Sequence, residues 1–356
     1  MGCKCCNSEG KEDDAQRDGE RAITDLSQGR VLLKVRDLIS RSPPHISRAR
    51  RGAYRLALPL LWFGYWLAAQ FVGTPGLYIQ RRLACLGIRL KLKGLFLSKH
   101  VPPVGHCFID TFRYFEHDFV SKALRDGPPP VRALDVSSPR LLSFLMALDY
   151  PDLMIDIVNP DATDIDITRL FVLALGLEDR CRLHAGYLHE ASLLTEAYDL
   201  VTCISVLEHV PQDNLLVSEM WRHLRPGGRM ILTVPCAAES YLEYSDVNVY
   251  GLLPREPDGS YFFQRYYDNA TLAKSIHSVT GPPKRVNIWG ERKRGIYDAL
   301  RWKKLSKDRV YPSWKEPWVF GRGFRPYKSI DDLPGIGVVA MEFIKTRDLL
   351  FGYKAE

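Results

Sequence analysis

Between Arg41 and Gly105 the chain has 11 Lys/Arg and no acidic residue, although the whole sequence of 356 residues carries 42 Asp/Glu. Residues 1–105 hold 18 Lys/Arg against 8 Asp/Glu, a balance of +10; the remainder holds 31 against 34, a balance of −3. The net charge of +7 therefore belongs to one segment, not to the body of the protein. No nucleic-acid recognition motif accompanies the basic residues, so a nucleic-acid partner is not expected. Metal-ligand spacing is missing too. Five of the eight cysteines, Cys85, Cys107, Cys181, Cys203 and Cys236, are scattered, which argues against a metal centre. Cys181, Cys203 and Cys236 fall in or near apolar runs, where cysteine serves as a small apolar residue. Nothing at the N-terminus reads as a secretory signal, so disulfides are not expected either. No GxGxxG follows the first strand pattern, which disfavours a nicotinamide-dependent dehydrogenase.

What is present divides the chain into three. Residues 1–45 are polar and charged and read as a disordered tail, with a short helix over about Ala22–Ile39. Its MGCKCC start has the pattern of a doubly acylated terminus, with Gly2 for myristate and Cys3, Cys5 or Cys6 for palmitate; a free cysteine-rich tail is the plainer reading. Residues 46–105 form a basic, apolar extension. Its stretch Leu56–Thr74 has 19 residues without a charge, long enough to span a bilayer. Pro59, Gly64 and Gly73 interrupt that stretch, and Trp62, Tyr65 and Trp66 sit at its middle rather than at an interface. Next, IRLKLKG alternates apolar and basic residues at strand period. The extension either contacts an anionic membrane surface or caps the domain that follows; both readings stay open. On the first, the protein is cytoplasmic, peripheral to or anchored at the membrane face.

Residues 106–356 show alternating strand and helix patterns. Phe108–Leu124 is an amphipathic helix and GPPP a linker; VRALDVSS is strand one and PDLMIDIVNP strand two. Residues 197–235, AYDLVTCISVLEHVPQDNLLVSEMWRHLRPGGRMILTVP, read as a βαβ unit. YDLVTCISV is a continuous apolar run, as in a strand buried on both faces. Leu215, Leu216, Met220 and Leu224 recur at helical spacing, and Pro226, Gly227 and Gly228 turn the chain. This wording resembles the class I S-adenosylmethionine-dependent methyltransferases of the methyltransferase type 11 kind. The resemblance covers roughly residues 108–345. It implies an α/β, Rossmann-like, seven-stranded, mostly parallel sheet with helices on both faces. It also implies S-adenosylmethionine as cofactor and methyl transfer to a small acceptor, with an apolar or membrane-associated acceptor suggested by the extension. A catalytically inactive scaffold of the same fold at a membrane is the rival reading.

The departure from the family lies in the first loop. DVSSPR keeps Asp135 but has none of the glycines of the family's DxGxGxG. Ser138 and Pro139 suit a helix start, whose free N–H groups would hold the cofactor carboxylate with help from Arg140. Asp135, Ser137, Ser138 and Arg140 are therefore candidate cofactor residues. For the ribose hydroxyls the candidates are Asp156, Asn159 and Asp161. Tyr187 is placed to stack on adenine, and Ser205 ends the strand beside the cofactor. His209 and Glu208, in SVLEHV, are the candidate catalytic pair, His209 as base. Candidate acceptor contacts are Tyr114, Tyr244 and Arg265, with Arg113, Glu116, Tyr241, Tyr250, Gln264 and Tyr266 nearby. About 45 residues separate the last two strands (RVNIWGE and GIGVVAMEFIK) and carry Trp302, Trp314 and Trp318. This 295–335 insertion is expected to be a lid or contact surface.

Overall fold

The computed structural model describes residues 23–24, 29–33, 48–95, 112–305 and 315–346. The MGCKCC terminus, Cys107 and Trp314 lie outside them. The central sheet follows the order β11-β10-β12-β7-β6-β3-β4-β5. Its parallel half is β3 (Arg132–Val136), β4 (Met154–Asn159), β5 (Cys181–Ala185), β6 (Tyr198–Ile204) and β7 (Leu224–Cys236). β12 (Gly337–Ile344), β10 (Arg285–Glu291) and β11 (Phe324–Tyr327) complete it with antiparallel pairings. The chain winds outward from β3 toward β5 and then returns to run from β6 toward β7. The direction thus reverses between β3 and β6, and the crevice beyond their carboxyl ends is where such sheets bind ligands.

Periodicity explains the continuous apolar strands. Leu200 and Ile204 of β6 join a core with Phe119, Phe144 and Phe171 on one face. Val201 and Cys203 join Val217, Met220 and Ile276 on the other. Both faces of the strand are buried under helices, so both sets of alternating residues are largely apolar, and the buried Thr202 hydroxyl is paired with Asp135. The face of Phe119 and Phe144 is covered by α3 (Arg113–Asp126), α4 (Arg140–Asp149) and α5 (Ala162–Leu175), and the face of Val217 by α6 (Asp213–His223).

Four features differ from expectation. The sheet has eight strands rather than seven. β11 comes from the insertion, and its Pro326 opposite Trp289 is tolerated because β11 is the edge strand. A second sheet, of order β1-β2-β8-β9, is formed by β1 (Ile23–Thr24), β2 (Arg30–Leu33), β8 (Tyr241–Ser245) and β9 (Tyr261–Tyr266). Part of the stretch read as a short N-terminal helix is therefore strand, recruited because β2 pairs in parallel with β8. Lastly, IRLKLKG is not a strand. Ile88 and Leu90 end the helix α2 (Leu77–Leu90), whose Leu83, Leu86 and Leu90 reach the main core, and the helical path breaks at Gly94 with φ 103°. Tertiary burial on a 3.6-residue period overrides the local alternation.

Helix α1 (Arg48–Phe71) precedes α2, runs through Pro59 and Gly64, and buries Ala69. It lies against the insertion, whose helices are α7 (Ile296–Leu305) and α8 (Glu316–Gly323). Gly321 of α8 makes the approach possible, since a Cβ there would sit 2.2 Å from Thr74 Oγ1. Among the described residues no helix is long and apolar enough to cross a membrane.

Candidate functional site

Two serines mark the switch point. Ser137, after β3, has φ 53°, and Ser205, after β6, has φ 48°. L-residues rarely adopt this conformation, and it turns the backbone sharply at both strand ends. Counting from Asp135, Ser137 stands where the family pattern has its first glycine, so the loop keeps the glycine conformation without the glycine. Beside Ser205 a cavity of about 380 Å³ opens. Phe112, Tyr250, Phe263 and Tyr297 give it aromatic walls; Arg113, Glu116, Glu208, His209, Gln264 and Arg301 give it polar ones.

The turn Leu207–His209 supplies its most reactive groups. The carbonyl of Phe263 lies 2.7 Å from His209 Nδ1, which must therefore carry the proton and donate. His209 Nε2 then accepts from the Tyr250 hydroxyl at 3.1 Å and lies 3.7 Å from Glu208 Oε1. Burial pushes the Glu208 carboxyl up to about 8; Arg113 opposes the shift. Burial likewise pulls the His209 imidazole down to about 4, aided by the charges of Arg113 and Arg301. At neutral pH Glu208 is thus protonated and His209 neutral. The second oxygen of Glu208, Oε2, is buried with no hydrogen-bond partner.

The floor is braced by Glu116 of α3, which accepts from Arg113 Nη1 at 2.9 Å, from Thr233 Oγ1 at 2.8 Å and from the Ser205 hydroxyl. Arg301 of α7 forms the roof. It makes a two-pronged pair with Glu243 of β8 at 2.8 and 2.9 Å, and Gln264 of β9 donates to the same carboxylate at 2.6 Å. The insertion is thereby tied to the second sheet over the cavity. Glu291, at the end of β10, fixes the loop leading to α7. It accepts from the backbone N–H of Tyr297, from Ile336 at 2.9 Å and from Gly295 at 3.3 Å, while burial raises its carboxyl to about 7.

The remaining expected residues are distributed differently. Asp135 is buried and accepts from Ser143 at 2.5 Å and Thr202 at 2.7 Å. Ser138 does not cap α4; its hydroxyl accepts from Ile204 N at 3.1 Å, linking β3 to β6. Arg140 is paired with Asp164 and donates to Thr168 at 2.9 Å. Asp156 accepts from Tyr198 and His184, each at 2.9 Å, inside the sheet. Asn159 ends β4, with its amide on Asp164 and its oxygen on Asp161 N, and Asp161 caps α5. Tyr187, after β5, is 45% exposed and stacks on His189. Three acceptor candidates stand apart from the cavity. Tyr114 is buried in the core beside Phe320 and Gln80. Tyr244 packs under Arg30, and Arg265 pairs with Asp213. Ser205, Glu208, His209, Tyr250 and Gln264 do come together, with Arg113 and Glu116. Phe112, Phe263, Tyr297 and Arg301 were not singled out in the sequence. Arg301 sits in the insertion, where only its unusual length gave a signal.

Whether these residues suit the expected cofactor is decided at the strand ends. The left-handed turns at Ser137 and Ser205 open the backbone. α4 starts at Arg140 without a side-chain cap, which leaves amide groups of its first turn for an anion. The free amides suit the carboxylate of S-adenosylmethionine, and Asn159 and Tyr187 stand at and just after the ends of β4 and β5.

Residues 133–232 match the sequence profile of the family described as "Methyltransferase domain". The ubiquinone biosynthesis O-methyltransferase of Vibrio atlanticus is 30% identical over 107 residues, covering 30% of this chain and 44% of that protein. The protein of the same name from Photobacterium profundum is 32% identical over 128 residues, covering 34% and 54%. The chain thus spans about half the length of these curated relatives. A solved geranyl diphosphate C-methyltransferase from Streptomyces coelicolor A3(2) superposes with a TM-score of 0.42 at 14% identity, over 65% of this chain and 78% of that one. Over residues 133–232 the chain is thus similar to the methyltransferase domain family.

Proposed function

We propose that the protein transfers a methyl group from S-adenosylmethionine to a hydroxyl on a small, largely apolar aromatic acceptor held in the 380 Å³ cavity. The observation that carries this reading is His209. It is a neutral imidazole whose Nε2 lone pair accepts from the Tyr250 hydroxyl, a bond that an acceptor hydroxyl would replace, in a cavity walled by Phe112, Tyr250, Phe263 and Tyr297. The cofactor supplies a methyl group already activated on a sulfonium. The chain's own contribution is to place the acceptor oxygen, take its proton and keep water out. His209 Nε2 accepts the proton; Nδ1, fixed on the Phe263 carbonyl, holds the ring in the tautomer that can do so. Protonated Glu208 donates rather than repels, so an acceptor oxygen gains a partner beside His209. The volume suits one substituted ring and lies at the lower end of ordinary ligand pockets, about 300–1,000 Å³. That the curated relatives are named O-methyltransferases is consistent with an oxygen acceptor.

Titration calorimetry with S-adenosylmethionine tests the cofactor, and absence of heat at millimolar concentration would leave the binding-scaffold reading in its place. A product-mass screen of phenols and catechols with isotopically labelled cofactor tests the acceptor. Labelled product from amines alone would sink the hydroxyl reading.

A further inference from the structure

We propose that helices α1 and α2 form a docking surface for an anionic lipid bilayer, lying on the membrane rather than crossing it. Four large apolar side chains of α1 face solvent: Leu60 at 80%, Phe63 at 55%, Leu67 at 43% and Phe71 at 85% exposure. Their spacing of three, four and four residues places them on one stripe of the helix. Ala69, on the opposite side, is fully buried. The helix is therefore anchored by one face and bare on the other, a large apolar patch for a water-exposed surface.

Charge selects the occupant. Residues 41–105 contain 11 Lys/Arg and no carboxylate. Arg81, Arg89 and Lys93 are exposed along α2 and its end, next to the exposed Leu92. A second copy of the chain would meet this surface with the same positive charge, whereas an anionic leaflet attracts every basic residue near it, by about 1 kcal/mol each. With no described helix apolar enough to span, an interfacial arrangement is what the surface fits.

The surface also communicates with the cavity. Tyr65 of α1 packs edge-on against Trp318 of α8 at 5.3 Å, and Thr74 donates to the Pro317 carbonyl at 2.7 Å. Phe320 of the same helix meets Phe112, a cavity wall, at 6.3 Å. Docking through α1 places the cavity one helix away from the bilayer, an arrangement suited to an acceptor dissolved in the lipid. That last step rests on the proposed reaction; the docking does not.

The test is vesicle co-flotation of the full chain carrying Gly2→Ala/Cys3→Ser/Cys5→Ser/Cys6→Ser, so that no N-terminal acyl chain contributes. Vesicles of phosphatidylcholine alone are compared with vesicles holding about 30% phosphatidylglycerol. The expected result is flotation with the anionic vesicles only, weakened at high salt. Leu60→Ser/Phe63→Ser/Phe71→Ser is expected to lower the bound fraction at least tenfold with an unchanged melting temperature, since all three side chains already face water. Arg81→Glu/Lys93→Glu is expected to lower it several-fold. Equal flotation of the triple variant overturns the proposal, as does a wild-type chain that never floats. A wild-type dimer that the triple variant turns into a monomer, without flotation, assigns the face to a second copy and overturns it as well.

Discussion

The turns after β3 and β6 share a left-handed serine but differ in what their polar groups do. In and around the ends of β3 and β4, Asp135, Ser138, Arg140, Asp156 and Asn159 all spend their hydrogen bonds on neighbouring protein groups. Beyond β6, Glu208 keeps an unpartnered oxygen, and His209 Nε2 is bonded only to the Tyr250 hydroxyl on the cavity wall. The side chains of the first turn are spent on architecture and only its backbone is left for a ligand, while side chains of the second line the cavity. Buried polar groups without partners are costly, so they persist where something else supplies the partner. The likeness of the two backbones therefore says less about chemistry than the bookkeeping of their side chains.

The strongest way to break this contrast is to remove what holds the open side open. Glu243 is buried and Arg301 nearly so, and they pair through two hydrogen bonds. Arg301→Ala leaves Glu243 buried without its counter-charge and is expected to cost about 3–5 kcal/mol. Denaturant unfolding measures the loss. Arg140→Ala, at the closed side, removes a partly exposed pair and is expected to cost about 1 kcal/mol or less. Comparable losses at the two sites would erase the distinction.

His209 comes next. His209→Ala is expected to lower turnover about 10²–10³-fold with little change in cofactor affinity, as for loss of a general base. Steady-state kinetics beside calorimetry separates the two effects. Because burial holds the imidazole near 4, activity is expected to lack an acid limb at the ordinary histidine value of 6.5. A limb there would mean that His209 is solvated and the cavity open to water.

Glu208 sharpens the comparison through stability. Its carboxyl lies near 8 in the folded state against an ordinary value of 4.5, so the folded chain holds a proton that the unfolded chain loses over that window. The stability linked to that proton is fully present below about 4.5 and is lost as pH rises through about 8. Glu208→Gln removes the dependence. The wild type is expected to lose several degrees of melting temperature relative to the variant between about pH 5 and 8, at about 2–4 °C per kcal/mol. Parallel pH profiles would place Glu208 in contact with water.

How far the sequence reveals this follows from the range of each interaction. The βαβ unit at 197–235 is legible because strand burial, helix period and the Pro-Gly-Gly turn are all local. Glu208 and His209 are legible for the same reason: they sit in the turn that ends β6. Phe263 and Arg301, which orient His209 and roof the cavity, come from β9 and α7, and only the second sheet brings them there. That sheet depends on β2 reaching β8 across some two hundred residues, a pairing that no local period announces. Tyr114 shows the converse. Its neighbours Arg113 and Glu116 line the cavity, while its own ring turns into the core beside Phe320, because residues one or two apart on a helix face different ways.

The smallest expected effect tests the closed turn. Ser137 holds φ 53° and donates its hydroxyl to the Val158 carbonyl at 3.1 Å. Ser137→Gly relieves a left-handed residue, worth about 1 kcal/mol, and gives up one hydrogen bond of similar size. Thermal stability should hardly move. Removing the side chain does allow closer backbone approach, so S-adenosylmethionine affinity is expected to rise a few-fold by calorimetry. Ser205→Gly makes the same conformational change after β6 but removes the hydroxyl bonded to Glu116, and it should weaken the site instead. Opposite signs from one substitution at two like-shaped turns would show that the β3 turn acts on the cofactor through its backbone and the β6 turn through its side chains.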